Sequence, residues 1–462
     1  MHRNIVIYSD GTGQRGGIFF DEKRSNIYKM YRATRCGPDL AIDPAEQLTY
    51  YDPGLGTEPL GSSTLYRWYR KAYNIVSQAT GLGITLNIIE CYAALIRLWR
   101  PGDRIFLFGF SRGAYTVRAL GGVLSFCGVP TRMPDGSPLR RDEASSLAIA
   151  REAVRQVYQF TNSRKRDAST QKQQMRLDQR ELLAYRFREK YGSGDKQQSN
   201  AVPHFIGVFD TVASLANRTA VLGLIFSGLL ALLLVGFLMS YFIWNFTIWS
   251  AIGLSAAAIV GVVWYVFDHL KTPGALPGYS ARQTRHWTEF KMRFYDWRLS
   301  PRVPFARHAI SIDENRKEFD RVPWGTHGEP NVPDENGMIR FEQVWFAGNH
   351  SDIGGSYAEN DARLSDITLK WMLEAASRAG LKYDERWLRL FPDAAGPQHD
   401  EKRSGIFKYS TSFVRKIDPK APLDQSVLDR LALPEVLQFD VHKPYRPEGL
   451  RGHESAADFY AD

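Results

Sequence analysis

Cysteine is scarce in this sequence. Cys36, Cys91 and Cys127 stand at wide spacings among 462 residues, and no Cys-x-x-Cys pair occurs. This excludes a Cys-x-x-Cys metal or redox motif and predicts a reducing compartment for the folded domain. A β-like run at 4–8 follows the N-terminus almost at once and leaves no room for a signal peptide, so any targeting signal is expected inside the chain.

The sequence also lacks a dense basic run interleaved with aromatic residues. Lys and Arg number 59 against 50 Asp and Glu, which gives a net charge of +9. This balance is compatible with dispersed surface charge or with attraction to an anionic membrane, and no nucleic-acid partner is expected. A hydrophobic fraction of 44% excludes a disordered chain and suffices for one large core or two moderate ones.

Charged side chains are missing altogether from 219–267. A membrane span needs roughly 20 apolar residues, so this stretch is long enough for two helices with a turn near Asn245. We therefore predict a two-helix transmembrane hairpin over 215–270; the alternative is a buried helical hairpin in a large core. Flanking cations predict that both ends face the cytoplasm, which places the protein in the inner membrane with its remaining mass on the cytoplasmic side. These cations are Arg218, Lys271, Arg282 and Arg285.

Outside that stretch the pattern is α/β. Short apolar runs at 4–8, 104–110, 204–209 and 342–347 predict strands of a mostly parallel sheet. Helical patterns at 84–99 and 365–379 predict helices that cover both faces, and the charged stretch 139–200 predicts solvated helices. The chain is accordingly divided into 1–214, the hairpin 215–270, and 271–462.

A candidate nucleophile lies in FGFSRGAYTVRAL, residues 108–120. Ser111 stands between Gly109 and Gly113, after a predicted strand and before a helical pattern. A nucleophile elbow requires this order, with small neighbours because its backbone is strained and closely packed. The alternative is a serine in an ordinary tight turn. In the elbow, the backbone N–H of Arg112 would be one oxyanion donor.

A serine nucleophile needs a base and an acid that orients the base, in the chain order Ser, Asp, His for an α/β-hydrolase. Asp210 ends the apolar run HFIGVFD, and His350 follows the run VWFAGNH. We predict Asp210 as the acid and His350 as the base. The alternatives are a turn or helix cap for Asp210 and an ordinary loop histidine for His350.

The stretch DGTG follows the first predicted strand. Phosphatases of the haloacid dehalogenase type also end a strand with Asp-Gly-Thr, but their nucleophilic aspartate would fall at Tyr8 here. We instead predict that the N–H of Gly11 or Thr12 is the second oxyanion donor. Asp10 is expected to brace this loop in a structural role.

Two further aspartates follow strand-like runs. Asp52 in YDPG is predicted as a turn residue, and Asp352, two residues after His350, as structural support for the site. Sequence spacing does not show that Asp10, Asp52 and Asp352 converge, so no metal and no other cofactor is predicted.

Seven blocks in this order carry a family resemblance: IYSDGTG, SNIYKMYR, YYDPGLGT, RIFLFGFSRGAYTVRALGG, HFIGVFDTVASL, VWFAGNHSDIGGSY and LSDITLKWMLEAA. Together they resemble the bacterial and fungal α/β-hydrolase family that includes type VI secretion phospholipase effectors. The resemblance implies a Ser-Asp-His triad acting on ester bonds, at Ser111, Asp210 and His350. Two departures are the apolar hairpin and Gln14, where relatives often have asparagine.

The fold expected is therefore α/β-hydrolase-like, interrupted by a transmembrane hairpin. The function expected is that of a membrane-anchored serine hydrolase, with a membrane lipid as its partner and substrate. Three alternatives stay open: an esterase or acyltransferase on a non-lipid substrate, a translocated antibacterial lipase, and a non-catalytic membrane module. A regulatory or immunity protein as a further partner is left open.

Overall fold

The computed structural model describes residues 2–11, 23–54, 82–161, 170–212, 269–288, 298–325, 332–335, 337–403 and 411–460, with a few single positions between 230 and 267. In these residues the main sheet has six parallel strands in the order β2-β1-β3-β4-β7-β8. They are β1 Asn4–Ser9, β2 Gln47–Asp52, β3 Arg104–Phe110, β4 Pro203–Phe209, β7 Phe305–Ser311 and β8 Phe341–Phe346. Two small antiparallel pairs are β5 Leu270–Lys271 with β6 His286–Trp287, and β9 Val436–Gln438 with β10 Val441–Lys443.

Helices accompany these strands. They are α1 Asn26–Thr34, α2 Leu82–Leu98, α3 Arg112–Cys127, α4 Glu143–Glu152, α5 Gln171–Tyr191, α6 Ala281–Thr284, α7 His350–Gly354, α8 Arg363–Arg378 and α9 Gln425–Ala432. The predicted strands at 4–8, 104–110, 204–209 and 342–347 correspond to β1, β3, β4 and β8. The helical patterns at 84–99 and 365–379 correspond to α2 and α8.

The sheet is buried on both faces. Alternate residues of β1 point to opposite sides, so Ile5 and Ile7 join one apolar cluster with α2, α3 and α4, whereas Val6 and Tyr8 join another with α1 and α8. Strands of a parallel sheet covered in this way have continuous apolar runs in their sequences, because neither face of the sheet meets water. The predicted α/β fold with a mostly parallel sheet and flanking helices is confirmed.

The two outer parts of the chain contribute to the same sheet. Strand β4, before the predicted hairpin, pairs along its length with β7, which comes after it. Parallel strands direct their carboxyl ends to one edge, so residues following β3, β4 and β8 meet there. The boundaries 1–214, 215–270 and 271–462 themselves stay predictions.

The predicted inner-membrane location is wrong by the criterion of helix length and hydropathy. Within the described part of the chain, no helix is both long enough and apolar enough to cross a bilayer. Most of the predicted hairpin, 219–267, lies outside the described residues. The predicted cytoplasmic orientation depended on that location and is wrong with it.

Candidate active site

The nucleophile elbow predicted at Ser111 has the backbone that such a turn requires. Strand β3 ends at Phe110, helix α3 begins at Arg112, and Ser111 between them has φ 58° and ψ −119°. A non-glycine residue in this conformation costs of order 1–3 kcal/mol and persists only when its surroundings enforce it. The N–H of Ser111 donates to Phe209 O at 3.1 Å, which fixes the turn against the end of β4.

The two glycines beside Ser111 leave no room for a side chain. A Cβ on Gly109 would collide with the carbonyl of Gly113, and a Cβ on Gly113 would collide with Ser9 O and lie 2.7 Å from Asp10 O. All of these are backbone atoms, which cannot move aside as a flexible side chain can. The small neighbours are therefore required by close packing of β1, β3 and α3.

His350 opens the short helix α7. The side chain of Asn349 caps this helix by accepting from the N–H groups of Ser351 and Asp352 at 2.8 and 2.9 Å. The imidazole is buried between two aromatic rings, with ring centroids 4.7 Å from Phe110 and 5.1 Å from Phe319. Because Phe110 directly precedes Ser111, this packing brings the histidine ring to the elbow.

Asp210 follows β4 and is fully buried, with φ 38°. Its Oδ2 accepts from His350 Nδ1 at 2.6 Å, and its Oδ1 accepts from the N–H of Ser311 at 3.1 Å. Arg415 donates to both oxygens, at 2.6 Å to Oδ1 and 3.0 Å to Oδ2. Burial favours the neutral acid, but the charge of Arg415 and these hydrogen bonds hold the pKa of Asp210 below its ordinary value.

The charged state of Asp210 assigns the histidine tautomer. An ionised carboxylate only accepts hydrogen bonds, so Nδ1 carries the proton and Nε2 is the basic nitrogen. No hydrogen bond joins Nε2 to Ser111 Oγ or to another group among the described residues. Catalytic hydrogen bonds of this kind are often long before substrate binds, and tighten in the complex.

The predicted oxyanion donors differ in their surroundings. Arg112 is the first residue of α3, and N–H groups in the first turn of a helix have no acceptor within that helix. The N–H of Gly11, in contrast, donates to Asp10 Oδ1 at 2.7 Å, so it is engaged in this conformation and the second-donor role is not supported for it. Thr12 lies outside the described residues.

The carboxylate of Asp10 is hydrogen-bonded to three neighbouring elements of the fold. Besides Gly11 N–H, its carboxylate accepts from the hydroxyl of Ser25 and, at 2.8 Å, from that of Tyr51. These contacts tie the end of β1 to α1 and β2. These described contacts are all internal and give no support to a phosphatase nucleophile at Asp10. Burial raises the pKa of Asp10 to about 6 despite these donors.

Asp52 closes β2 and is also buried. It accepts from Ser9 Oγ at 2.9 Å and from the N–H of Gly54 at 3.1 Å, the second contact being that of a turn residue. Cys91 Sγ lies 3.7 Å from its Oδ2. Burial raises the pKa of Asp52 to about 6.

Asp352 supports the histidine through the helix cap. Its Oδ2 accepts from the N–H of Asn349 at 3.0 Å, which completes a capping box at the start of α7. Its Oδ1 pairs with His399 Nδ1 at 2.7 Å, and the ring of His399 stacks on Tyr357 with centroids 3.7 Å apart. Asp352 therefore fixes the loop that carries His350 without touching its imidazole.

A known protein family matches most of this chain. The model of the family described as "T6SS, Phospholipase effector Tle1-like, catalytic domain" matches residues 3–231 and 257–375, which is more than half of the chain. The chain belongs to this family. The predicted resemblance is thus confirmed, and the chain is a member of a family of hydrolase catalytic domains. Ser111, Asp210 and His350 all fall within the matched residues.

Individual relatives of this Tle1-like domain are distant. "Uncharacterized protein YEL023C" of Saccharomyces cerevisiae is 31% identical over 132 residues, which span 28% of this chain and 18% of the yeast protein. Two solved structures each cover 85% of this chain with a TM-score of 0.34. One is an uncharacterized protein from Pseudomonas aeruginosa, 14% identical and covered over 48% of its length. The other is the Tle1 effector bound to the VgrG spike from the Type 6 secretion system, 13% identical and covered over 77%.

Sequence reasoning missed the groups that surround Asp210 and His350 in this Tle1-like domain. Arg415 on Asp210 lies beyond the family match, in a stretch without a motif. Glu314, which accepts from the N–H of His350 at 3.2 Å and pairs with Arg316 at 2.7 Å, follows a strand that was not predicted. No spacing rule connects these residues to the triad, because the contacts arise only from the fold.

Proposed function

We propose that this chain is a serine hydrolase that cleaves ester bonds of phospholipids. The observation that carries the proposal is the 2.6 Å hydrogen bond from His350 Nδ1 to the buried carboxylate of Asp210, beside the strained elbow of Ser111. Membership in a family of phospholipase catalytic domains supports a phospholipid as the substrate. The lipid is also the one partner that the proposal implies.

The chemistry proceeds in two halves. Ser111 Oγ attacks the ester carbonyl while His350 Nε2 takes its proton, and Asp210 stabilises the imidazolium that forms. The tetrahedral oxyanion is held by the N–H of Arg112 at the start of α3. The alcohol leaves with the proton from His350, which generates an acyl-Ser111. Water, deprotonated by His350, then releases the fatty acid and regenerates the enzyme.

Incubation with mixed phospholipid vesicles, followed by mass spectrometry of released fatty acids, tests the proposal. Wild type is expected to release fatty acid, and Ser111→Ala and His350→Ala are expected to release none above background. Ser125→Ala, on the same helix α3, and His442→Ala, at an exposed position, are the matched controls and should behave as wild type.

Two results would contradict the proposal. Equal release by wild type and Ser111→Ala would remove the assigned nucleophile. Hydrolysis of a short-chain p-nitrophenyl ester by wild type without release from any vesicle would instead favour an esterase acting on a non-lipid substrate.

A further inference from the structure

The C-terminal part of the chain reaches the catalytic acid. Residues 411–415 run alongside 315–317, with Phe413 N–H donating to Asn315 O at 2.9 Å and Lys317 N–H donating to Thr411 O at 3.2 Å. This pairing inserts Arg415 behind Asp210, where only 1% of the side chain is exposed. Because a buried charge is costly unless it is paired, the position is built around the carboxylate.

Both terminal nitrogens of the Arg415 guanidinium donate two hydrogen bonds each. Nη1 donates to Asp210 Oδ1 at 2.6 Å and to Ser311 O at 2.9 Å. Nη2 donates to Asp210 Oδ2 at 3.0 Å and to Phe319 O at 2.6 Å. Two parallel bonds to one carboxylate fix its plane, which a single point charge cannot do. The oxygen that faces His350 Nδ1 is thereby fixed as well.

We propose that Arg415 is a positioning residue of the hydrolytic site, which holds the Asp210 carboxylate against His350 Nδ1 and offsets the negative charge that this histidine faces. The inference rests on the proposed function and extends it to a residue outside the family match. Arg415 touches neither Ser111 nor the reacting ester, so its effect passes through Asp210. It acts on two measurable quantities: the orientation of His350, and the pH dependence of Ser111 modification.

The direction of the second effect follows from the charges. Asp210 alone would stabilise the imidazolium strongly, and the cation paired with it weakens that stabilisation. Removal of the Arg415 charge should therefore move the rise in the rate of Ser111 modification to higher pH. Other charged groups lie around the pair: Glu314 and Arg316 near the His350 N–H, Asp320 and Arg321 beyond Arg415, Arg112 at the elbow, His308 on β7, and Asp313 and Asp352 in the loops that meet at α7.

The test uses the rate of Ser111 modification by a fluorophosphonate from pH 5 to pH 9, which needs no natural substrate. Arg415→Met removes both the positive charge and the two parallel hydrogen bonds to Asp210. The acid limb of the pH profile, where the modification rate rises, should therefore move up by about one pH unit. Arg415→Lys keeps the positive charge but loses the two parallel hydrogen bonds. The acid limb of its pH profile should stay near that of wild type, while the plateau rate at high pH should fall about 10- to 100-fold. Arg430→Met is the matched control, since Arg430 is a buried arginine that donates to Ala394 O and Gly396 O. The pH profile of Ser111 modification in Arg430→Met should match that of wild type.

The outcomes separate this inference from the proposed function. No labelling of folded wild type would refute the proposed function. If wild type is labelled, two results would refute the role of Arg415: an acid limb that does not shift in Arg415→Met, or a wild-type plateau rate in Arg415→Lys. Either result would leave the assignment of Ser111 as nucleophile unaffected. If Arg415→Met fails to fold by near-ultraviolet circular dichroism, the plateau of Arg415→Lys decides.

Discussion

Gly113→Ala is the substitution that tests the elbow most severely. The added Cβ would collide with Ser9 O and lie 2.7 Å from Asp10 O, both of which are backbone atoms at the end of β1. Overpacking in a core costs about 1–3 kcal/mol where neighbours can adjust. Here the strand or the helix must shift as a unit, so we expect a loss of unfolding free energy at the upper end, about 3 kcal/mol. The same shift displaces Ser111.

Urea unfolding and fluorophosphonate labelling measure the two consequences together. Gly121→Ala, two turns along α3, is the matched control, because its Cβ would meet side-chain atoms alone, the movable Cδ1 of Ile206 at 3.1 Å and Cγ of Pro203 at an ordinary 3.7 Å. Alanine gains about 1 kcal/mol of helix propensity over glycine, so this control should stay within about 1 kcal/mol of wild type. A Gly113→Ala variant that keeps both wild-type stability and wild-type labelling would refute the close packing on which the elbow depends.

Three other predictions concern buried polar groups. Asp210→Asn should lower kcat on an ester substrate by about 10⁴-fold, because the amide no longer holds His350 in the correct tautomer; a loss below tenfold would contradict the assignment. Asp52 has its pKa raised to about 6 by burial, against 3.8 in the unfolded chain, so wild type loses about 3 kcal/mol of unfolding free energy in total as pH rises from about 3 to about 7. Urea unfolding of Asp52→Asn relative to wild type should therefore improve by about 2 kcal/mol between pH 4 and pH 7, and a constant difference would be evidence against the raised pKa. Ser25→Ala removes both the cap that accepts from Tyr28 N–H at 3.0 Å and the hydroxyl that donates to buried Asp10, and should cost about 2 kcal/mol in the same assay; unchanged stability would show that neither contact contributes.

Most of the sheet was predictable because four of its six strands carry a recognisable apolar run. The two strands that were missed, β2 and β7, are polar for identifiable reasons. Strand β2 pairs only with β1 within the described sheet, and four of its six residues are partly exposed, so QLTYYD lacks a continuous apolar run. Strand β7 is central but carries Arg307 and His308, which are buried because Glu342 and Gln343 on β8 pair with them. Such compensation depends on a partner strand and is invisible in a local window.

The three residues of the proposed triad could be selected from the sequence because chain order and local context constrain them. Ser111, Asp210 and His350 each end an apolar run, and parallel strands bring such ends to one edge. Arg415 comes from a stretch that gives no local signal, and its pairing with Asp210 depends on where the C-terminal segment packs. Most of the predicted hairpin lies outside the described residues, and the correction above concerns the predicted location.

Peptide mapping of the fluorophosphonate adduct by mass spectrometry tests the central claim most directly. The account predicts one adduct, on Ser111, in wild type and in Ser125→Ala, and none in Ser111→Ala. An adduct on another residue, or no adduct on a folded wild-type protein, would contradict it.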